Sequence, residues 1–160
     1  MRGGILCIAA FAVLLLAACG GSGGGSSTQQ QLSPAQYRAH IAKIKVEAAK
    51  AQTDVGQGLQ AKSVDELKQR VDAFAAATQR IGDEVAALKP PQNAAAANSQ
   101  LAQGLHDIAA GVRDASGKIA TMKTVQAAIS YLQNAQGPVK GSREVGEALA
   151  TLQKLGYTTG

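Results

Sequence analysis

Val64, Leu67, Val71, Phe74, Thr78, Ile81, Val85 and Leu88 step three, four, three, four along the chain without a slip. A strand would bury every second residue, whereas steps of three and four place side chains on one face of a helix. The pattern predicts a helix with a single apolar stripe. Such a stripe has to be covered, so this segment demands partner helices.

The flanking residues set the ends of that helix. Ser63-Val64-Asp65-Glu66 has the form of a capping box, in which serine caps the first amides and Glu66 reaches back to the cap amide. Pro90 disfavours helix at Lys89, so Lys89-Pro90-Pro91 ends it. A partner lies upstream. Ser33-Pro34 is an N-cap followed by proline at the first helical position, and Tyr37, Ile41, Ile44, Ala48, Ala51 and Val55 form its seam. Gly56 and Gly58 weaken the end of that helix, with a turn expected before Lys62. A third helix opens at Gln92 or Asn93, on the seam Leu101, Leu105, Ile108, Val112, Ala115, Ile119 and Met122.

Val125, Ile129 and Leu132 continue the third seam out of phase. Unbroken, residues 93–134 would make a rod about 60 Å long, against under about 40 Å for the second helix. A break is therefore expected between Gly117 and Thr124. Gly104, Gly111 and Gly117 interrupt propensity without disturbing register, which suits close approach of a neighbour or a bend. Residues 134–141, with Gly137-Pro138, read as a loop. Ser142 is expected to cap a short last helix carrying Val145, Leu149 and Leu152, and Gly156 to end it in a left-handed C-cap covered by Tyr157. The fold class is all-α: an antiparallel bundle of three long helices plus a short C-terminal helix, spanning residues 33–157.

Composition agrees. Apolar residues make up 46% but are largely alanine, and aromatics only 3%. A thin core with close helix packing follows. Six opposite-charge pairs fall at helical spacing: Lys43/Glu47, Lys50/Asp54, Glu66/Arg70, Arg80/Glu84, Asp114/Lys118 and Arg143/Glu147. The net charge of +5 is therefore mostly a solvated helix surface, and no basic block is interleaved with aromatics, so nucleic acid is not an expected partner.

Few residues invite chemistry. His40 flanks the first seam and His106 falls on the outer face of the third helix; no Glu-x-x-His pair occurs, so neither a metal nor another cofactor is expected. Thr78 is the one clear polar residue on the second seam, and its hydroxyl is expected on the Phe74 carbonyl one turn back. Tyr37, Tyr131 and Tyr157 are expected to close the core ends with their hydroxyls wet. Asp83-Glu84 project to different sides of a helix, unsuited to paired acid–base work. No phosphate loop or nucleophile elbow is present. An enzyme is not expected.

The N-terminus is more specific. Met1-Arg2 supplies a positive start, Ile5 to Leu16 an apolar run too short for a spanning helix, and Ala17-Ala18 small side chains next to Cys19. Leu16-Ala17-Ala18-Cys19 resembles the lipobox of bacterial lipoproteins. The resemblance implies cleavage between Ala18 and Cys19 of a signal covering residues 1–18, and a diacylglyceryl thioether on Cys19, with acyl chains such as palmitate holding the protein to the cell membrane or outer membrane. Gly20 carries no inner-membrane retention signal of the kind an aspartate gives. Cys7 leaves with the signal, so the mature chain cannot form an internal disulfide. Residues 19–32 read as the lipidated cysteine and a flexible Gly/Ser/Gln tether; about a dozen such residues reach about 20 Å.

Two functions are compatible with these features. The first is a lipid-anchored, extracytoplasmic bundle with a structural or protein-interaction role, its partner an envelope protein or a cell-wall polymer. The alternative is binding of a small ligand, lipid or haem-like, in a cavity between helices. A pocket of several hundred Å³ with a few convergent polar groups distinguishes the second from the first.

Overall fold

The computed structural model of the protein describes residues 31–58, 60–134 and 139–158. Ala18, Cys19, the signal, most of the tether and the Gly137-Pro138 segment lie outside these residues, as does the side chain of Val55. Helix α1 spans Pro34–Gly58, α2 Val64–Ala87, α3 Ala95–Ile119, α4 Val125–Asn134 and α5 Val139–Lys154, with a short 3-10 turn at Gln92–Ala94 ahead of α3. There is no strand among the described residues.

The caps explain the boundaries. Ser33 Oγ accepts from the Gln36 N–H at 3.3 Å, and Gln36 Oε1 accepts from the Ser33 N–H at 2.9 Å, a reciprocal capping box. At α2, Ser63 Oγ accepts from the Glu66 N–H at 3.1 Å. Glu66 returns one residue further than expected, accepting from the Lys62 N–H at 2.9 Å. Turns at Thr121 and Met122 separate α3 from α4, inside the expected interval, and Thr124 Oγ1 caps α4 by accepting from the Ala127 N–H at 3.2 Å. Gly156 ends α5 at φ +77°, and the Tyr157 N–H returns to the Leu152 carbonyl at 2.8 Å, a Schellman closure.

Helices α1, α2, α3 and α5 alternate in direction. The α1–α2 contact runs from the Leu32 N–H on the Lys89 carbonyl to the Arg80–Glu47 ion pair, and α3–α5 from Gln100–Glu147 to Gly104–Gly141. Helix α3 packs on both α2 and α5, while α4 lies against the far end of α2 and α3. The expected antiparallel bundle is therefore what forms, with α4 filling the connection between its third and last members. Gln31 and Leu32, read by composition as tether, are fixed to the α2–α3 turn, the Gln31 side chain donating to the Pro90 carbonyl at 2.8 Å.

The last helix starts at Val139, not at Ser142. The extra turn carries Gly141 onto α3, where a Cβ would stand 2.6 Å from the Gly104 carbonyl oxygen and 2.8 Å from the Ile108 nitrogen. A Cβ on Gly104 would likewise meet the Gly141 oxygen at 3.0 Å. Backbone touches backbone at this crossing, and the packing gained offsets the poor helix propensity of glycine.

The core has two halves. Tyr37, Ile41, Ile44, Ile81, Val85, Leu101, Leu105 and Leu152 form one, at the end where the tether joins. Leu67, Val71, Ala75, Val112, Ile119 and Ala128 form the other, sealed by α4. Among the described residues, no helix is long and apolar enough to cross a membrane.

Candidate functional site: a groove between the first and last helices

At the tethered end α1 closes on the residues that follow α5. The Tyr37 and Tyr157 rings meet edge to face, 5.1 Å apart at 79°, and Arg38 Nε donates to the Gly156 carbonyl at 3.0 Å. Tyr37 is fully buried, and its hydroxyl donates to Asn98 Oδ1 at 3.0 Å; Asn98 Nδ2 in turn donates to the Val85 carbonyl at 2.9 Å. Tyr157 donates to Asn93 Oδ1 at 2.9 Å. The expectation of wet hydroxyls is thus corrected for Tyr37 and Tyr157, because the phenols sit inside the four-helix contact rather than at its rim. Burial, then the neighbouring Tyr157, pushes the Tyr37 hydroxyl up to about 12. Tyr131 behaves differently, lying half-buried beneath the Lys118 ammonium at 5.9 Å.

Further along the bundle α1 and α5 part, leaving a groove of about 340 Å³ over the α2–α3 pair. Ala48, Ala51 and Gln52 of α1 form one wall, and Ser142, Val145 and Leu149 of α5 the other. Phe74, Thr78 and Ile81 of α2 with Leu105, Ile108 and Val112 of α3 make the floor. The alanines on α1 are the physical cause: side chains too short to reach α5 leave the space between the core halves unfilled. The Gly104–Gly141 crossing fixes the opposite wall, since Val145 packs directly against Gly104.

Three polar side chains face this apolar surface. Thr78, 5% exposed, donates to the Phe74 carbonyl at 2.9 Å as its spacing predicts, which leaves its oxygen able to accept. Gln52 and Ser142 are exposed and lie at the rim. A second depression of about 300 Å³ lies between α1 and the end of the chain, lined by Arg38, Ile41, Ala42, Lys45, Val46, Tyr157 and Thr158.

The remaining candidates stand apart from the groove. His40 is exposed. His106 is half-buried rather than on an outer face: it lies over Gly82, and its Nε2 is 2.9 Å from Asp83 Oδ1. The missing Cβ of Gly82 lets α3 approach α2 there. Asp83 also accepts from Gln79, while Glu84 pairs with Arg80 at 3.3 Å, so the two adjacent carboxylates serve different partners. Lys43–Glu47, Glu66–Arg70 and Arg143–Glu147 close at 3.5, 2.8 and 3.8 Å on the exposed helix surface, where solvent screens them. Among the described residues, no group of three or more His, Cys, Asp or Glu is placed to hold a metal ion.

Sequence reasoning missed Asn98, Ser116 and Gly141. Stepping the third seam back from Leu101 by three reaches Asn98, 4% exposed. Stepping the last seam back from Val145 by four reaches Gly141. Ser116 lies off the single stripe, 2% exposed and hydrogen-bonded to Asp72; it is buried because α3 is covered on more than one side. That bond and, more strongly, the one from Lys68 hold the Asp72 carboxyl below the usual carboxylate range. No protein-family model, no curated protein and no solved structure matches the chain.

Proposed function

We propose that this chain is a lipoprotein of the cell envelope, anchored outside the cytoplasm through acyl chains on Cys19, whose helical bundle binds a lipid-like molecule in the α1–α5 groove. Its work is binding, not catalysis. The observation that carries the proposal is the 340 Å³ apolar groove with Thr78, Gln52 and Ser142 converging on it. A bundle serving only as a structural spacer would gain stability by filling that space.

Size and lining favour a chain over a macrocycle. The volume, 340 Å³, corresponds to about eleven waters at ~30 Å³ each, and a methylene is of similar bulk, so one chain of roughly ten carbons fits. The described lining residues carry no imidazole, thiolate or thioether, groups that commonly hold haem iron. The floor residues Ile81 and Leu105 already belong to the buried core, so a bound chain extends that core across the gap between its halves.

The test is intact mass spectrometry of the full-length protein extracted from membranes, followed by titration of the delipidated protein with dodecanol. A diacylglyceryl adduct on Cys19 and saturable dodecanol binding are expected. Ala48→Phe, which puts a ring into the groove from its α1 wall, should abolish the binding while keeping the fold. Membrane-extracted protein with an unmodified Cys19 overturns the anchor. Unsaturable binding, or binding indifferent to Ala48→Phe, overturns the groove and returns the bundle to a structural or protein-interaction role.

A further inference from the structure

Charge is unevenly placed along the bundle. Residues 31–46, 85–106 and 148–158 build its tethered end, and they contain Arg38, Lys43, Lys45, Lys89 and Lys154 but no aspartate or glutamate. Two of these cations have partners, Lys43 in the ion pair to Glu47 and Lys45 in a contact of its own. The other three, Arg38, Lys89 and Lys154, are exposed, and no carboxylate is paired with them among the described residues. The bond from Arg38 Nε goes to the neutral Gly156 carbonyl and leaves the guanidinium charge uncompensated.

Contacts bring these three residues to one place. Gly156 lies two residues past Lys154, the Lys89 carbonyl accepts from the Leu32 N–H, and Tyr157 donates to Asn93, just beyond Lys89. Leu155, 37% exposed, adds an apolar side chain next to Lys154. The chain also enters the bundle here, with Gln31 and Leu32 bonded to Pro90 and Lys89, and residues 19–30, which lead back to Cys19, carry no charged side chain.

We infer that the tethered end of the bundle is a docking surface for an anionic lipid membrane, with Arg38, Lys89 and Lys154 on the head groups. This rests on the anchor reading above, and adds which end meets the bilayer and the lipid charge it selects. Charge complementarity and the entry of the tether at the same end favour the bilayer over a wall polymer, since a tether reaching about 20 Å keeps this end near the surface. Each basic residue close to an anionic leaflet is worth about fivefold, so three shift the docked-to-undocked ratio on the order of a hundredfold. Docked in this way, the bundle holds the wall of its groove at Ala48 about 15 Å along α1 from Arg38.

The experiment uses the membrane-extracted protein, reconstituted into vesicles of phosphatidylcholine with and without phosphatidylglycerol. A fluorophore is placed on Gln92→Cys, at the docked end, or on Gln126→Cys, on α4 at the far end of helices about 35 Å long, and energy transfer to a head-group acceptor is read. Phosphatidylglycerol should raise transfer from position 92 and not from position 126, and added salt should remove the gain. Arg38→Gln, Lys89→Gln and Lys154→Gln together should abolish it. Lys50→Gln, Lys62→Gln and Lys123→Gln together, which remove the same charge elsewhere, should preserve it, with helical circular dichroism unchanged in both. Equal transfer on the two kinds of vesicle overturns the docking surface and returns the basic end to solvent or to an anionic wall polymer. Equal loss in the two triple variants also overturns it, by reducing the effect to net charge. Protein that inserts into neither vesicle overturns the anchor and the docking surface together.

Discussion

Replacing Gly141 by alanine should unseat α5 from α3. The new Cβ would stand 2.6 Å from the Gly104 oxygen and 2.8 Å from the Ile108 nitrogen. Both are backbone atoms that cannot turn aside, so the helix itself must retreat, by roughly 0.5–1 Å to restore ordinary contact, and a gap of that size forfeits a quarter to a half of each dispersion contact it opens. Overpacking of this kind costs about 1–3 kcal/mol, against a gain in helix propensity of up to about 1 kcal/mol. The net expectation is a loss of about 0.5–2 kcal/mol. Gly146, in the same helix, supplies the control: a Cβ there meets nothing within 4 Å, so Gly146→Ala should stabilise by about 0.5–1 kcal/mol. The difference between the two variants isolates the crossing from propensity and should be about 1–3 kcal/mol. Urea unfolding followed by helical circular dichroism measures it as a shift in midpoint at constant slope. A Gly141→Ala protein as stable as the parent, or one shifted by the same amount as Gly146→Ala, refutes the close-crossing argument. Because the crossing holds Ser142 and Val145 at the groove wall, Gly141→Ala should also weaken dodecanol binding.

Other consequences are testable by simpler means. Gly82→Ala meets the His106 ring at 2.5 Å, but a ring can rotate, so it should cost less than Gly141→Ala and free Asp83 from its histidine, visible in the His106 NMR shifts. Tyr37→Phe leaves Asn98 Oδ1 without its donor and should cost about 1–3 kcal/mol in the same urea assay. The buried Tyr37 hydroxyl, at about 12 against an ordinary 10.0, keeps its proton where the unfolded chain has lost it. The folded state then binds more protons, so stability falls as pH rises from the ordinary value towards the folded one. Ultraviolet titration should show Tyr37 ionising only as the protein opens. For Asp72 the sign is opposite: its lowered value contributes stability above the usual carboxylate range that is lost as pH falls through the folded value, and Ser116→Ala should flatten that acid limb of the stability curve. Ser63→Ala removes the α2 cap and should cost about 1 kcal/mol.

The helices and their order were legible in the chain because helix formation is decided within a few residues. Spacing of three and four selects the buried face; Ser33, Ser63 and Gly156 set ends through bonds no more than one turn or so away, and Pro90 sets one by restricting the residue before it. Even the break after Ile119 follows from a phase slip in the apolar pattern. The N-terminal resemblance to a lipobox is likewise a property of consecutive residues. What the pattern could not contain is how far apart two helices stand. That distance depends on which residues meet across the bundle, and these are remote in sequence: Gly104 with Gly141, Gly82 with His106, Tyr37 with Asn98 and Tyr157. The seam treats alanine as an apolar residue like any other, yet Ala48 and Ala51 opposite Val145 and Leu149 leave a groove where larger side chains would have left a solid core. The sequence alone determined that four helical stripes would be buried against one another. Only the tertiary structure decided that glycines would draw α5 tightly onto α3 while alanines left it apart from α1, because packing distance is set by pairs of side chains and not by either one alone.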